Sequence, residues 1–243
     1  MSSNTKGNLY LIPSLLGASM PGKVIPPENI ILVSRIGFFI VEEIKSARRF
    51  LTVLGINLQE DPKEFMVFNE HSDKYDVSTY LKPAFDGKDI GILSEAGLPC
   101  VADPGSLIVK QAHLSGIRVI PLTGPSSIFL ALMASGFNGQ NFCFHGYLPV
   151  EKSERSRSLK DIERMARKDS STHIFIETPY RNNQFLEVLL KVCGDNTWLC
   201  VALDLSCTNE TIISKPISNW KSSKLIDINK RPAVFLISSG NEA

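Results

Sequence analysis

Acidic side chains recur where apolar runs end: Glu42 and Glu43 close FFIVEE, Glu95 follows DIGILS, and Asp103 sits in a Pro/Gly corner shortly after it. If those runs are strands of a parallel sheet, the carboxylates fall at the strands' carboxyl edges. Side chains converge on a cleft there, which suits acid/base work or contacts to ribose hydroxyls. His71 follows Asn69 and Glu70 at such an end, whereas His113, His145 and His173 stand isolated and read as structural histidines. In TGPSS, Thr123, Ser126 and Ser127 put hydroxyls where a helix begins, beside free N–H groups. That arrangement suits a carboxylate or hydroxyl ligand, or simply caps the helix. No GxGxxG follows a strand, and GxxxxGK[ST], GxSxG and His pairs at metal spacing are missing, so no metal is expected.

The elements that must position these residues follow from the apolar pattern. DIGILSEAGLPCVADPGSLIVK, residues 89 to 110, predicts one βα unit: Ile90, Ile92 and Leu93 fit a buried parallel strand, and Asp103 and Pro104 fit a helix cap and first position. Open α/β sheets bind ligands at this edge, although a bare βα turn would look similar. NLYLIP (8 to 13) predicts an opening strand, and the loop after it, with Ser14, Gly17, Pro21 and Gly22, is a second candidate ligand edge. Strands are predicted at 38 to 43, 64 to 72 and in IRVIPL. Helices are predicted at 30 to 35, at 46 to 56 with Ser46 as cap and Gly55 as stop, weakly at 77 to 86, and at 105 to 116. Every connection up to residue 122 reads as a parallel crossover.

After TGPSS come an apolar helix, SIFLALMASGF, and a strand, NFCFHGYLP. The charged segment 151 to 169 places Leu159, Ile162 and Met165 on one side of a helix, with a solvated face favoured over an RNA-binding one. THIFIETPYR predicts a strand running into a loop, residues 180 to 193 a helix, and WLCVALDLS a further strand. NETIISKPISNW alternates like an exposed strand, and RPAVFLISSG closes as a buried one, so antiparallel strands come late. The expected architecture is α/β in two domains: residues 1 to 121, mainly parallel, and 122 to 243, with a mixed sheet.

The 26 basic and 25 acidic side chains leave a net charge of +1, so no bulk field draws the chain to nucleic acid or anionic lipid, and any RNA contact must be local. Five cysteines without CxxC spacing read as reduced core thiols. Met1 to Gly7 gives no signal peptide, and no apolar run reaches the roughly 18 residues of a membrane span, so a cytoplasmic protein is expected.

Several ordered stretches resemble the class III, tetrapyrrole-methylase-like S-adenosylmethionine methyltransferases, nearest the branch of small-subunit ribosomal RNA cytidine ribose 2′-O-methyltransferases. GNLYLIP looks like that branch's opening strand, and LSEAGLPCVADPGSLIV resembles its S-D-A-G-T-P-x-I-x-D-P-G signature. GIRVIPLTGPSS is similar to G-I-x-V-x-P-L-P-G-P-[SC]-A, FCFHGYLP to F-x-x-x-G-F-L-P, and IFIETPYR to F-[YF]-E-[SA]-P-[HY]-R. The resemblance spans about Gly7 to Gly240.

The resemblance implies a donor, S-adenosyl-L-methionine, held in a cleft between two α/β domains and leaving as S-adenosyl-L-homocysteine. It implies donor contacts from Pro13, from Ser94, Glu95, Ala96, Gly97 and Leu98, and from Val101, Ser126 and Ser127. Tyr147, Pro232 and Ala233 are weaker matches. Ribosomal RNA or the small subunit is the implied substrate, with a tetrapyrrole or other small molecule and a silent binding paralogue as rivals, and a homodimer the implied assembly. Two stretches depart from the branch. Its A-E-D-T-R appears as Val41-Glu42-Glu43-Ile44-Lys45, and its His-Asp-His-Asn-Glu as Asn69-Glu70-His71-Ser72-Asp73, while Leu98 replaces a donor-loop threonine. Arg and Lys are not equivalent at a phosphate clamp. Glu43, Lys45 and His71 are therefore expected on the acceptor side as catalytic candidates.

Overall fold

The computed structural model describes residues 5–73 and 76–240; the first four residues of the polar Met1 to Gly7 stretch lie outside them. The chain divides into two compact units, Met1–Ser126 and Ser127–Ala243. The first runs β1 (Leu9–Ile12), α1 (Pro21–Val24), α2 (Pro27–Arg35), β2 (Phe38–Val41), α3 (Ile44–Val53) and β3 (Glu64–Val67). A 3-10 turn (Val77–Leu81) then leads into α4 (Lys82–Phe85), β4 (Ile90–Leu93), α5 (Ser106–Leu114) and β5 (Val119–Pro121). The five strands are parallel in the order β3-β2-β4-β1-β5. Central β4 is buried along its length, as a strand covered on both faces must be. One core holds Leu9, Ile40, Ile90 and Ile108, and another holds Ile12, Phe39, Leu51 and Leu93. The chain leaving β1 heads for β2, while the chain leaving adjacent β4 heads the other way, for β5. Such a reversal marks where open α/β sheets bind ligands. Residues 123 to 126 pack with this unit: Asn29 donates to the Thr123 carbonyl at 2.7 Å, and Gly124 lies against Pro13.

The second unit comprises α6 (Ser127–Ser135), β6 (Phe142–Tyr147), α7 (Lys152–Asp169), β7 (Thr172–Ile176), a 3-10 turn (Pro179–Arg181) and α8 (Asn182–Val192). It continues with β8 (Trp198–Leu203), β9 (Thr211–Pro216), α9 (Ile217–Ser222) and β10 (Ala233–Ser238). The sheet order is β6-β7-β10-β8-β9, with β6 and β7 parallel and the other pairings antiparallel. Phe175, Phe185 and Phe235 form the aromatic centre of its core, with ring centroids 4.9 to 6.3 Å apart.

Several local expectations change. α3 starts at Ile44 and is capped by Glu43 rather than Ser46, because β2 ends at Val41 and leaves Glu43 extended at the helix entrance. α5 starts at Ser106; Asp103 instead accepts the Gly105 N–H at 2.6 Å, closing a turn ahead of the helix. On α7 the buried stripe is Arg155, Leu159, Ile162 and Ala166, and Met165 is 39% exposed, one step round the helix. The ISNW stretch turns helical as α9 behind Pro216, packing Trp220 into the core, so only Thr211–Pro216 is a strand. No disulfide joins the five cysteines, of which Cys193 and Cys200 are buried and Cys143 is exposed on edge strand β6.

Candidate functional site

In the first sheet, Leu93 pairs with Ile12 on one side and with Val41 on the other. The residues that follow, Ser94-Glu95, Pro13-Ser14 and Glu42-Glu43, are therefore neighbours at one edge. Ser14 is buried, donates its hydroxyl to the Ser94 carbonyl at 2.7 Å, and donates its N–H to the Gly97 carbonyl at 2.8 Å. The Ser94 hydroxyl donates to that same carbonyl at 3.2 Å. Gly97 has φ +73°, and a Cβ there would stand 2.9 Å from Leu16 Cδ2, so glycine alone fits without strain. Cys100 (φ +67°) and Ala102 (φ +57°) also occupy the left-handed region, and such strain in non-glycine residues clusters at ligand sites. Burial, then the Asp103 charge, pushes the Cys100 thiol up to about 12, which removes it as a nucleophile.

A cavity of about 380 Å³ opens beside this corner, walled by the 14–19 loop, by Ser94, Glu95 and Ala96, and by Glu43, Arg49 and Phe50. Its size and mix of apolar walls with backbone polar groups suit a small-molecule ligand. Glu42 lies half-buried behind the loop, with its Oε1 accepting the Glu95 N–H at 3.4 Å. Burial, then the charge and hydrogen bond of Asp103, pushes its carboxyl up to about 7. Asp103 Oδ2 is buried without a hydrogen-bond partner, and the Asp103 side chain shares a hydrogen bond with the Glu42 carboxyl. The pair thus holds a proton that can be released near neutrality.

The expected acceptor residues occupy this edge unequally. Glu43 lines the cavity, but its carboxylate already accepts the Lys45 and Ser46 N–H groups at 2.8 and 2.7 Å and the Ser46 hydroxyl, which holds it below the usual carboxylate range. Lys45 is exposed in the first turn of α3, and His71 is exposed beyond β3, 3.5 Å from Glu70. Neither lines the cavity. Asn69 reaches the Glu42 carbonyl at 3.4 Å, which ties the β3 end to the β2 end. Glu43→Ala is expected to fray α3 and lower the thermal midpoint by a few degrees, as a melting curve would record.

Of the expected donor contacts, Pro13, Ser94, Glu95, Ala96 and Gly97 gather at the corner, while Leu98 and exposed Val101 continue the same loop. Ser126 ends the first unit and Ser127 opens α6. In the second unit, Tyr147 pairs with Ile176 and Val234 pairs with Ile176, so Tyr147, Pro232 and Ala233 share one edge of that sheet. The Glu177 carboxylate in IETPYR accepts the Thr178 N–H and two nitrogens of Arg181 at 2.6 to 2.9 Å, so this motif braces the turn after β7. The cavity-lining residues of α3, Ser46, Arg49, Phe50 and Val53, were not foreseen. Their signal was the start of α3 at the carboxyl end of β2.

A family model described as Tetrapyrrole (Corrin/Porphyrin) Methylases matches residues 41–220. The protein named Ribosomal RNA small subunit methyltransferase I in Escherichia coli O157:H7 is 29% identical over 243 residues, covering 100% of this chain and 81% of that protein. The protein of the same name in Pseudomonas aeruginosa is 30% identical over 220 residues, covering 89% of this chain and 74% of the other. The crystal structure of the methyltransferase CobJ matches with TM-score 0.64 at 17% identity, covering 96% of this chain and 95% of that one, a likeness of fold. With one family model spanning most of its length and relatives aligned across nearly all of it, the chain belongs to the tetrapyrrole (corrin/porphyrin) methylases and is a methyltransferase whose donor is S-adenosyl-L-methionine.

Proposed function

We propose that the enzyme methylates the ribose 2′-oxygen of a cytidine in small-subunit ribosomal RNA. The names of its relatives point to the substrate class. The observation that carries the chemistry is the Glu42–Asp103 carboxyl pair set behind the Ser94–Gly97 loop. Methyl transfer from a sulfonium to an alcohol oxygen is an in-line displacement: the O–CH3 bond forms as the S–CH3 bond breaks, and the hydroxyl proton must go to a base. A carboxylate that binds protons near neutrality is matched to that task. Positioning of the two reactants and exclusion of water supply the rest of the acceleration.

In this reading Ser94, Glu95, Ala96, Gly97 and Leu98, with Pro13 and Val101, hold the donor. Ser126, Ser127, Tyr147, Pro232 and Ala233 are donor contacts by resemblance. Glu43 fixes the α3 entrance, while Lys45 and His71, on the same sheet edge, meet RNA phosphates. These local groups matter because the net charge is only +1. The enzyme works in the cytoplasm, where its cysteines stay reduced, as a homodimer with an isologous interface. Among the described residues no helix is long and apolar enough to cross a membrane.

Calorimetric titration with S-adenosyl-L-methionine is expected to give saturable binding, and absence of heat at millimolar donor would overturn the reading. Labelled methyl should then pass from the donor to small-subunit RNA. The near-neutral charge favours a second reading, a small-molecule acceptor such as a tetrapyrrole, and transfer to that acceptor but not to RNA would select it. Donor binding with transfer to neither would select a silent paralogue, the reading suggested by the altered VEEIK stretch.

A further inference from the structure

Outside the donor corner, the second unit brings three metal-ligating side chains together. Cys143 and His145 are alternate residues of edge strand β6, so they share a face of the sheet. Phe142, one residue before Cys143 and so out of step with the pair, turns to the opposite face and meets Phe129 edge-on at 5.9 Å. β6 is parallel to β7 with Cys143 opposite His173, which places His173 on the same face. The Cys143 sulfur and one ring nitrogen of each histidine lie within 4.8 Å of one another. His145 Nε2 is 2.8 Å from His173 Nδ1, and the rings stack with centroids 5.1 Å apart at 20°. On its far side His173 Nε2 is 3.0 Å from the Ser171 hydroxyl.

The geometry points to a binding site for a thiophilic divalent cation of the zinc class, formed by Cys143 Sγ, His145 Nε2 and His173 Nδ1, with a fourth position open to water. A Cys/His₂ donor set with N and S atoms is the chemistry zinc selects over magnesium or calcium. Each imidazole coordinates through a ring nitrogen that carries no proton. Ser171 is the outer partner that a ligating histidine needs: with the His173 proton on Nε2 toward the Ser171 oxygen, Nδ1 faces inward as a lone pair. Without a cation that lone pair accepts the Nε2 proton of His145. On binding, His145 shifts its proton to Nδ1 and Cys143 releases its thiol proton to solvent. Two N–metal bonds and one S–metal bond replace metal–water bonds of the hydrated cation, whose displaced waters return to solvent, together with one hydrogen bond and one S–H bond. The cation clamps β6 to β7 where the pairing becomes irregular, between Phe144 and Tyr147, the stretch that holds His145. Sequence spacing concealed the site because one ligand comes from the neighbouring strand.

The test is titration of the full, reduced chain with Co²⁺ as a spectroscopic substitute for Zn²⁺. The expected result is a near-ultraviolet thiolate-to-cobalt charge-transfer band with visible bands of a tetrahedral site, saturating at one equivalent and abolished by Zn²⁺. Cys143→Ser, at an exposed position, should fold normally by circular dichroism and lose the charge-transfer band. His145→Ala, at a half-buried position, should weaken cobalt binding by about tenfold or more. No charge-transfer band in the unaltered chain, a band that survives Cys143→Ser, or unchanged affinity in His145→Ala would each overturn the proposal.

Discussion

Gly124→Ala should weaken S-adenosyl-L-methionine binding by roughly ten- to a hundredfold while leaving a folded protein. An added Cβ would lie 2.3 Å from Pro13 Cβ and 2.5 Å from Pro13 Cγ, separations that real Cβ atoms essentially never show. A proline ring cannot rotate aside, so the segment after β5 and the loop after β1 must move apart. Overpacking of this kind costs about 1–3 kcal/mol. If the strain is relieved by opening the corner, that cost falls on the donor, since Ser14, next to Pro13, holds both Ser94 and Gly97; in affinity it is the stated factor. The control is Gly37→Ala in the same unit, where nothing lies within 4 Å of the new Cβ, and it should bind donor normally. Calorimetry on both variants, with melting curves to separate binding from stability, decides the matter. Unchanged donor affinity in Gly124→Ala would mean that the Pro13–Gly124 contact does not shape the donor site.

Much of this corner was legible in the sequence because two patterns coincide there. Apolar runs of four residues such as Ile90–Leu93 have little choice but a covered parallel strand, and Gly/Pro breaks must then sit at its carboxyl end. What sequence could not supply was the exact exit from a strand. With β2 ending at Val41, Glu42 and Glu43, adjacent in the chain, acquire opposite environments: Glu43 turns outward to cap α3, while Glu42 turns back beside Asp103. A pattern of apolar and acidic letters is the same for both. Met165 and Ala166 differ in the same way on α7, where one step of helix rotation decides which is buried, and alanine takes the buried place. The Cys143–His145–His173 cluster belongs to a third kind, contacts made by strand pairing, which local spacing does not encode.

The Glu42→Gln variant should gain stability and lose activity. The amide keeps a hydrogen-bond donor for Asp103 but cannot take up a proton. The folded-state value of Glu42, about 7, lies above its ordinary 4.5. Below 4.5 the carboxyl is protonated in folded and unfolded chains alike, so this group adds no pH dependence there. Between those values the unfolded chain has released the proton and the folded chain still holds it, so stability falls as the pH rises. Above about 7 both are ionised and the whole penalty is in place. For a group only half buried, solvent screening leaves about 1–2 kcal/mol of it. Melting curves from pH 5 to pH 8 should therefore slope downward more steeply in the unaltered enzyme than in Glu42→Gln. Activity should move oppositely: the rate of methyl transfer in the unaltered enzyme should rise through about pH 7 as Glu42 ionises, and Glu42→Gln should be slower by about 10²- to 10⁴-fold. A purely structural carboxyl pair would give the stability result alone. Full methyl transfer by Glu42→Gln would remove Glu42 as the proton acceptor and shift that role to another group on the sheet edge.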